Sequence, residues 1–436
     1  MNLKKLETVF KKKGIEEFEV YHVEGQMIDV STFNGTIDAN TIANTNEYYV
    51  KGVANGHITT VYAEKDSEDE IESLADRILE GTSVIESDEP YIIYPGSEKY
   101  LELAEVKHDF DNYTQADLIK ICQNIEAYAK TKCPYIKTTN AEIQIENKSV
   151  SITNSSKLDV KRNGNTAIVV FEVSVEKDGN TTSGFAYQYV ENISDIDQDY
   201  LYERAVNRSV MSLGAESIAS KQYPVVFENQ TACQLMSCFA GMFSADNVIK
   251  KLSPIQDKLG QAIFGQNVTI YDDPISSVSP FKYTFDDEGV ATKENMVVEN
   301  GVLKTYLHDL RTAKMMNTEP TGNGYKFGRG AAANLTFKSD DTSFNDLIKD
   351  IKEGVLITEL MGTHAGVNLT SGSFNLQSSG FMIVDGKIDK PVTLIIVSGN
   401  IIDLLNNIEG ISNDSYAGNH IVSGSMYVKS LNISGK

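Results

Sequence analysis

Hydrophobic positions recur with two periods along this chain. Leu3, Leu6, Val9 and Phe10 fall at helical spacing, and Gly14 follows where a helix would stop. Behind them FEVYHVEG, MIDVSTFNG, EYYVKGVANG and HITTVYAEK alternate apolar and polar residues, the period of a strand with one buried face. Asn34-Gly35 and Asn55-Gly56 predict hairpin turns, because both residue types tolerate positive φ. SEDEIESLADRILEG closes the unit as a helix. Ser67 and Glu70 read as a capping box, Ile71, Leu74, Ala75 and Ile78 as the buried stripe, and Gly81 as the stop.

The plan then repeats. After a Ser-, Asp-, Glu- and Pro-bearing linker from about Ser83 to Ser97, the helix TQADLIKICQNIEAYAK buries Leu118, Cys122, Ile125 and Ala129. AEIQIEN, SVSITNSS, TAIVVFEVSVEKDGN and TSGFAYQYVEN read as strands, with Asp178-Gly179 as a turn, and DYLYERAVNRSVMSLG as a closing helix. This duplication predicts two α+β modules side by side, or one fused two-layer domain. From Tyr223 onward the pattern is mostly strand and turn around one long helix at about 230–249, with Asn229 as its N-cap. The fold class is therefore α+β. Residues 1–220 form an N-terminal region of two related modules, about 1–82 and 98–220, and residues 221–436 a β-rich domain with one central helix.

Composition narrows the function. The chain has 436 residues, 61 acidic against 39 basic, and a net charge of −22. Such a field repels phosphate backbones, so a nucleic-acid partner is not expected, whereas protein or peptide partners are. The N-terminus has lysines but no apolar run behind them, and no apolar stretch reaches membrane-spanning length. Four scattered cysteines suit reduced thiols in the cytoplasm.

The candidate chemistry is sparse. Cys233 and Cys238 lie five apart on the 230–243 helix, so they do not converge as an i,i+4 pair would. They read as buried thiols beside the apolar face of Ala232, Leu235, Met236, Phe239, Ala240 and Phe243. The six histidines show no HExxH, HxH or cysteine-rich zinc spacing, and no GxSxG occurs. Asp286-Asp287-Glu288-Gly289 is an acidic run before a hairpin. It suits a solvated turn, a hard cation or a peptide's amino group, and it lacks EF-hand spacing. Asp272-Asp273-Pro274 is similar and more turn-like. TGNGYKFGRG, 321–330, lacks the Walker spacing and reads as a mobile loop over a groove or partner.

DDEGVATKENMVVENGVLKTYLHD, TGNGY, GVLITELMGTHAG, DGKIDKPVTLIIVSGN and GSMYVKSLNISG occur in the order expected of the TldD/PmbA family. With YPVVFENQTACQLMSCFAGMFSADNVIKKLSPIQDKLGQAIF, the resemblance covers essentially the whole chain. These proteins, once called modulators of DNA gyrase, are metallopeptidases that trim unfolded or modified peptides. The resemblance implies a branch assignment. The TldD branch carries HExxxH on this helix and a metal-ligating cysteine further on; the PmbA/TldE branch has lost them. Here the register puts the motif near Leu235 to Gly241. No histidine or carboxylate lies between Asn229 and Ala245, and no cysteine follows Cys238.

The resemblance thus implies a PmbA/TldE-like subunit that binds no metal and holds no catalytic residue. Zinc is expected in a TldD-like, HExxxH-bearing partner, either in a heterodimer with this chain or with the chain as a homodimer, and unfolded peptide is the expected substrate. Asp286, Asp287, Glu288 and His308 are the candidates for lining the substrate cleft. The rival reading is a homodimeric peptide- or protein-binding regulator, for example in a gyrase pathway, without peptidase activity.

Overall fold

A computed structural model describes residues 1, 3–86, 90–104, 106–325 and 331–436. The chain opens with α1 (Leu3–Lys13), β1 (Glu17–Phe33), β2 (Thr36–Ala54), β3 (His57–Ala63) and α2 (Glu68–Ser83). It repeats with α3 (Gln115–Lys132), β4 (Ile136–Asn154), β5 (Asp159–Lys177) and β6 (Asn180–Val190). All six strands form one antiparallel sheet in the order β3-β2-β1-β4-β5-β6. The join is β1 against β4, in register from Glu19↔Asn154 to Phe33↔Asn140, so the two repeats share one continuous sheet.

Two strand breaks expected from the sequence are absent. FEVYHVEG and MIDVSTF are one strand, and so are AEIQIEN and SVSITN. Gly25 does not end β1: a Cβ there would lie 2.5 Å from the Asn147 carbonyl oxygen, so it is a close-packing glycine. Gly81 likewise does not stop α2, which runs on to Ser83. Its missing Cβ makes room for Thr59 of β3, 2.9 Å away. Gly14 does end α1, at φ +84°, with the Ile15 amide bonded back to Phe10. The stripe Ile71, Leu74, Ala75 and Ile78 is buried under α2, and Leu118, Cys122, Ile125 and Ala129 under α3.

Strand alternation sorts the sheet's two faces. Phe18, Val20 and Val30 of β1 join the clusters under the helices, while Tyr21 and Val23 point the other way and pack with Phe285. The closing helix is α4 (Gln198–Leu201), a π-helical stretch (Tyr202–Asn207) and α5 (Arg208–Met211). The helix-free face is the one turned toward the rest of the chain.

The C-terminal part begins with β7 (Lys221–Phe227) and α6 (Asn229–Phe239). The single long helix expected at 230–249 is broken here. A 3-10 turn (Ala240–Phe243) and an extended Ser244 separate α6 from α7 (Ala245–Ile249). The Asn247 side chain donates to the Gly241 carbonyl across the break, at 2.8 Å. Glu228, not Asn229, holds the N-cap position. The Asn229 side chain instead donates to the Asp414 carbonyl.

Then come β8 (Ile270–Asp272), β9 (Asn295–Glu299), β10 (Val302–Leu303), α8 (Leu310–Met316), β11 (Leu335–Phe337) and α9 (Phe344–Ile348). They are followed by β12 (Glu353–Met361), β13 (Val367–Asn368), β14 (Ser373–Val384), β15 (Lys387–Asn400), α10 (Ile401–Asn406) and β16 (Ile408–Ile411). The chain ends with β17 (Tyr416–Gly418), β18 (Ile421–Ser423) and β19 (Met426–Ser434). One sheet runs β10-β9-β8-β11-β18-β17. In the other, β12 pairs with β7 and β14, β19 with β7 and β15, and β14 with β15, so the pairings close into a ring. The apolar face of α6 lies in the core between these sheets, with Leu235, Phe239 and Phe243 at most 1% exposed. Among the described residues no helix is long and apolar enough to cross a membrane.

Candidate functional site

Helix α6 is where the resemblance places a metal site. Its N-terminus is clamped: Arg204 meets the Glu228 carboxylate at 2.9 Å, and both Arg208 guanidinium nitrogens reach it too. Thr231 Oγ1 donates to the Ile357 carbonyl at 2.9 Å and Gln234 Nε2 to that of Leu360 at 3.2 Å, which fixes the helix on β12. The thiol of Cys233 lies 3.4 Å from the Tyr416 carbonyl and that of Cys238 3.3 Å from the Gln234 carbonyl. Burial pushes the Cys233 thiol up to about 12, and raises that of Cys238 as well. The two thiols turn to different carbonyls rather than toward a common point.

A catalytic zinc needs about three ligands, an open water position and a nearby base. Here Gln234 offers an amide bonded to backbone, and no position of the helix carries an imidazole or a carboxylate. The residues of α6 do not fit that group. Among the described residues no cluster of three or more His, Cys, Asp or Glu is placed to hold a metal ion.

The acidic run at 286–288 is a tight turn rather than a solvated one. Phe285 and Ala291 bridge antiparallel around it, and Gly289 takes φ +82°. Asp286 is fully buried. Its Oδ1 accepts from the amides of Glu288 (2.9 Å) and Val290 (3.0 Å), and its Oδ2 from that of Gly324 (2.8 Å). Asp287 Oδ1 accepts from Tyr21 Oη of β1 at 2.9 Å and from Arg162 Nη2 of β5 at 2.6 Å. Glu288 Oε2 accepts from the Leu310 amide at 2.7 Å, at the start of α8. Burial raises the Asp286 carboxyl to about 6; burial and the Asp286 charge raise that of Glu288 to about 8.

His308 is buried, its amide bonded to Thr321 Oγ1 at 2.6 Å, and burial lowers its imidazole pKa. Asp272 is also no solvated turn. It accepts from Asn323 Nδ2 (2.7 Å) and the Asn334 amide (2.8 Å), and burial raises it to about 6. Asn323 and Gly324 thereby pin the start of the glycine-rich segment 321–330. Its residues 326–330 lie outside the described residues.

A cavity of about 410 Å³ opens beside Asp287, between the helix-free face of the N-terminal sheet and the C-terminal loops. Tyr21, Arg162, Phe281, Tyr283, Tyr325 and His420 are among its walls, with Lys148 and Glu146 also lining it. The Arg162 guanidinium lies over the rings of Tyr283 and Phe285, 5.0 and 5.1 Å from their centroids. Of the four cleft candidates only Asp287 lines this cavity. Asp286 and Glu288 are committed to backbone amides away from it, and the buried His308 does not line it.

Sequence reasoning missed Tyr21, Arg162, Tyr283, Tyr325 and His420. One signal was available: FKYTF, 281–285, alternates three aromatic rings as an extended segment with one aromatic face does. A larger hollow, about 640 Å³ along Met361–Asn368 and β14, has no titratable side chain in its lining.

The family model for the PmbA/TldA metallopeptidase C-terminal domain matches residues 220–435. A PmbA metalloprotease homolog of Buchnera aphidicola is 30% identical over 263 residues, 60% of this chain and 57% of its own length. The match spans a little over half the length of this relative and of the PmbA metalloprotease of Escherichia coli, 57% of each. A candidate modulator of a DNA gyrase from Thermotoga maritima superposes with a TM-score of 0.92 at 29% identity, covering 99% of each chain. TldE from Thermococcus kodakarensis shares the fold, with a TM-score of 0.90 at 21% identity over 99% of this chain and 100% of that one.

Proposed function

The chain belongs to the PmbA/TldD metallopeptidase family, and from that premise we propose that it is the non-catalytic, PmbA/TldE-like subunit of a zinc peptidase acting on unfolded or modified peptides. One observation carries the reading. Helix α6 lies in the core, but the thiols of Cys233 and Cys238 turn to different backbone carbonyls, those of Tyr416 and Gln234, and the Gln234 amide is held by Leu360, so no three ligands and no base converge there.

The zinc and the water-activating glutamate then come from an HExxxH-bearing homologue. This chain contributes a wall of the substrate chamber and holds the extended peptide against the partner's metal, since positioning supplies much of a peptidase's rate. Mixing the chain with such a homologue should yield chelator-sensitive peptide cleavage that neither shows alone. Replacing the partner's motif glutamate should abolish it, while Cys233→Ala/Cys238→Ala in this chain should leave the rate of folded protein nearly unchanged. Chelator-sensitive cleavage by this chain alone, lost in the double cysteine variant, would overturn the assignment. A mixture no more active than its parts would favour a stand-alone regulator.

A further inference from the structure

The cavity beside Asp287 has a wall whose construction the fold alone does not require. Strands β17 and β18 are joined by Asn419 and His420, both at positive φ (+52° and +61°), with Gly418 paired to Ile421. This is a two-residue hairpin of the I′ kind, where glycine is the easy choice at the second position. A histidine there is held in a sparsely populated conformation, and such strain clusters at functional sites. The ring is aimed: Nδ1 lies 2.9 Å from the Ala333 carbonyl, and burial lowers the pKa, so the imidazole is neutral with Nδ1 as donor. Its centroid lies 4.6 Å from that of Phe281 and 6.2 Å from that of Tyr283, which in turn sits 5.1 Å from Tyr325.

We propose that this cavity receives an aromatic side chain of an extended peptide, against the rings of His420, Phe281 and Tyr283. Three features select that occupant. First, aromatic rings pair best tilted or edge-on at about 4.5–7 Å, and the wall rings are already spaced and tilted in that range. Second, the ionic pair in the floor is satisfied internally, Arg162 by Asp287 and the Phe285 carbonyl; of the other charged groups on the lining, Glu146 and Lys148 are exposed and Lys282 reaches Glu191 at 4.0 Å, so the ring-lined part holds no unpaired buried charge.

Third, the rings continue outward. Phe185, Tyr187 and Tyr189 on β6 and then Phe281 follow one another at 6.4, 6.2 and 5.5 Å. Same-side residues of an extended peptide advance by roughly 6.6 Å, so such a chain lying along this track sets alternate side chains near successive rings. β6 ends the order of its sheet, so the track follows a sheet edge. The inference rests on the peptide reading above, but it concerns this chain by itself.

The chain contains no tryptophan, so a capped pentapeptide with one central tryptophan reports its own burial against a dark background. Titrated into the full chain without partner or zinc, it should show a saturable blue shift of indole emission. Phenylalanine and tyrosine versions should compete, and a leucine version about tenfold more weakly, the upper range of one aromatic pairing. N-acetyl-tryptophanamide should bind more weakly than the pentapeptide.

His420→Gly relieves the turn, so its melting temperature should be unchanged or higher while affinity falls about tenfold. A merely structural histidine would not separate the two readouts. Gly164→Leu adds a side chain where the glycine's Cβ would meet no atom within 4 Å, on the cavity lining, and should also weaken binding. No saturable shift, equal competition by leucine, equal affinity for the amide and the pentapeptide, or unchanged binding by the folded His420→Gly protein would each overturn the proposal. The mixing experiment uses a partner and a metal and this titration neither, so one can fail without the other.

Discussion

Helix α6 and the seam around Asp287 are both buried, yet they were built by opposite rules. In α6 the inward polar side chains are returned to the backbone: Thr231 and Gln234 to carbonyls of β12, Cys233 to that of Tyr416. Its core face is Ala232, Leu235, Met236 and Phe239, and Phe239 meets Phe374 edge-on at 6.2 Å. At the seam, by contrast, two carboxylates, a guanidinium, tyrosine hydroxyls and an imidazole are enclosed together. Burying charge costs free energy unless each group is paired; here Asp287, Arg162 and Tyr21 pair with one another, while Asp286 accepts backbone amides. On the non-catalytic reading proposed above, α6 has no chemistry that would call for charge. Charge kept at the seam, joining β1 and β5 to the 285–289 turn, instead marks where this chain still needs polar structure.

The contrast breaks most sharply at Phe239. If α6 is plain core, Phe239→Ala should lower stability by about 3–5 kcal/mol in denaturant titration. An unchanged midpoint would mean that the helix is not packed as described.

The next effect belongs to the seam. Arg162→Met removes the guanidinium that pairs with buried Asp287 while the Tyr21 hydroxyl still donates to it, and should cost about 2–3 kcal/mol. Adding Asp287→Leu should recover part of that loss, because an apolar pair needs no compensation. If the double variant is worse than Arg162→Met, the ionic pair contributes more than its own burial costs.

A smaller effect is set by pH. The Glu288 carboxyl is raised to about 8 and that of Asp286 to about 6, so the folded chain holds protons that the unfolded chain has released. Their stabilising contribution is complete below the unfolded carboxylate range near 4. It falls as pH rises, through about 6 for Asp286 and about 8 for Glu288. From pH 6 to pH 8 the stability should therefore drop by about 1–2 kcal/mol, after allowance for the partial exposure of Glu288. Glu288→Gln should flatten that slope. A slope unchanged in the variant would assign the pH dependence to other groups.

These two regions also differed in how far the sequence revealed them. The core face of α6 was legible because helical spacing is local: Leu235, Phe239 and Phe243 need only neighbouring turns to line up. Hairpins were legible for the same reason, and Asn34-Gly35, Asn55-Gly56, Asp178-Gly179 and Asn300-Gly301 all take positive φ. The seam was not legible, because it joins Tyr21, Arg162, Asp287 and His420 across nearly the whole chain. Pairing such as β1 with β4, or β12 with β14, is fixed by tertiary packing, which no window of sequence contains. The acidic run was noticed but read as solvated, since composition cannot tell a turn in water from one roofed by β1 and β5.

The central claim is that this chain carries no metal centre of its own, and zinc content after extensive dialysis tests it most directly. Elemental analysis of the purified full chain should find far less than one zinc per chain, unchanged by Cys233→Ala/Cys238→Ala. About one tightly held zinc per chain, lost in that double variant, would contradict the account and restore a thiolate site to helix α6.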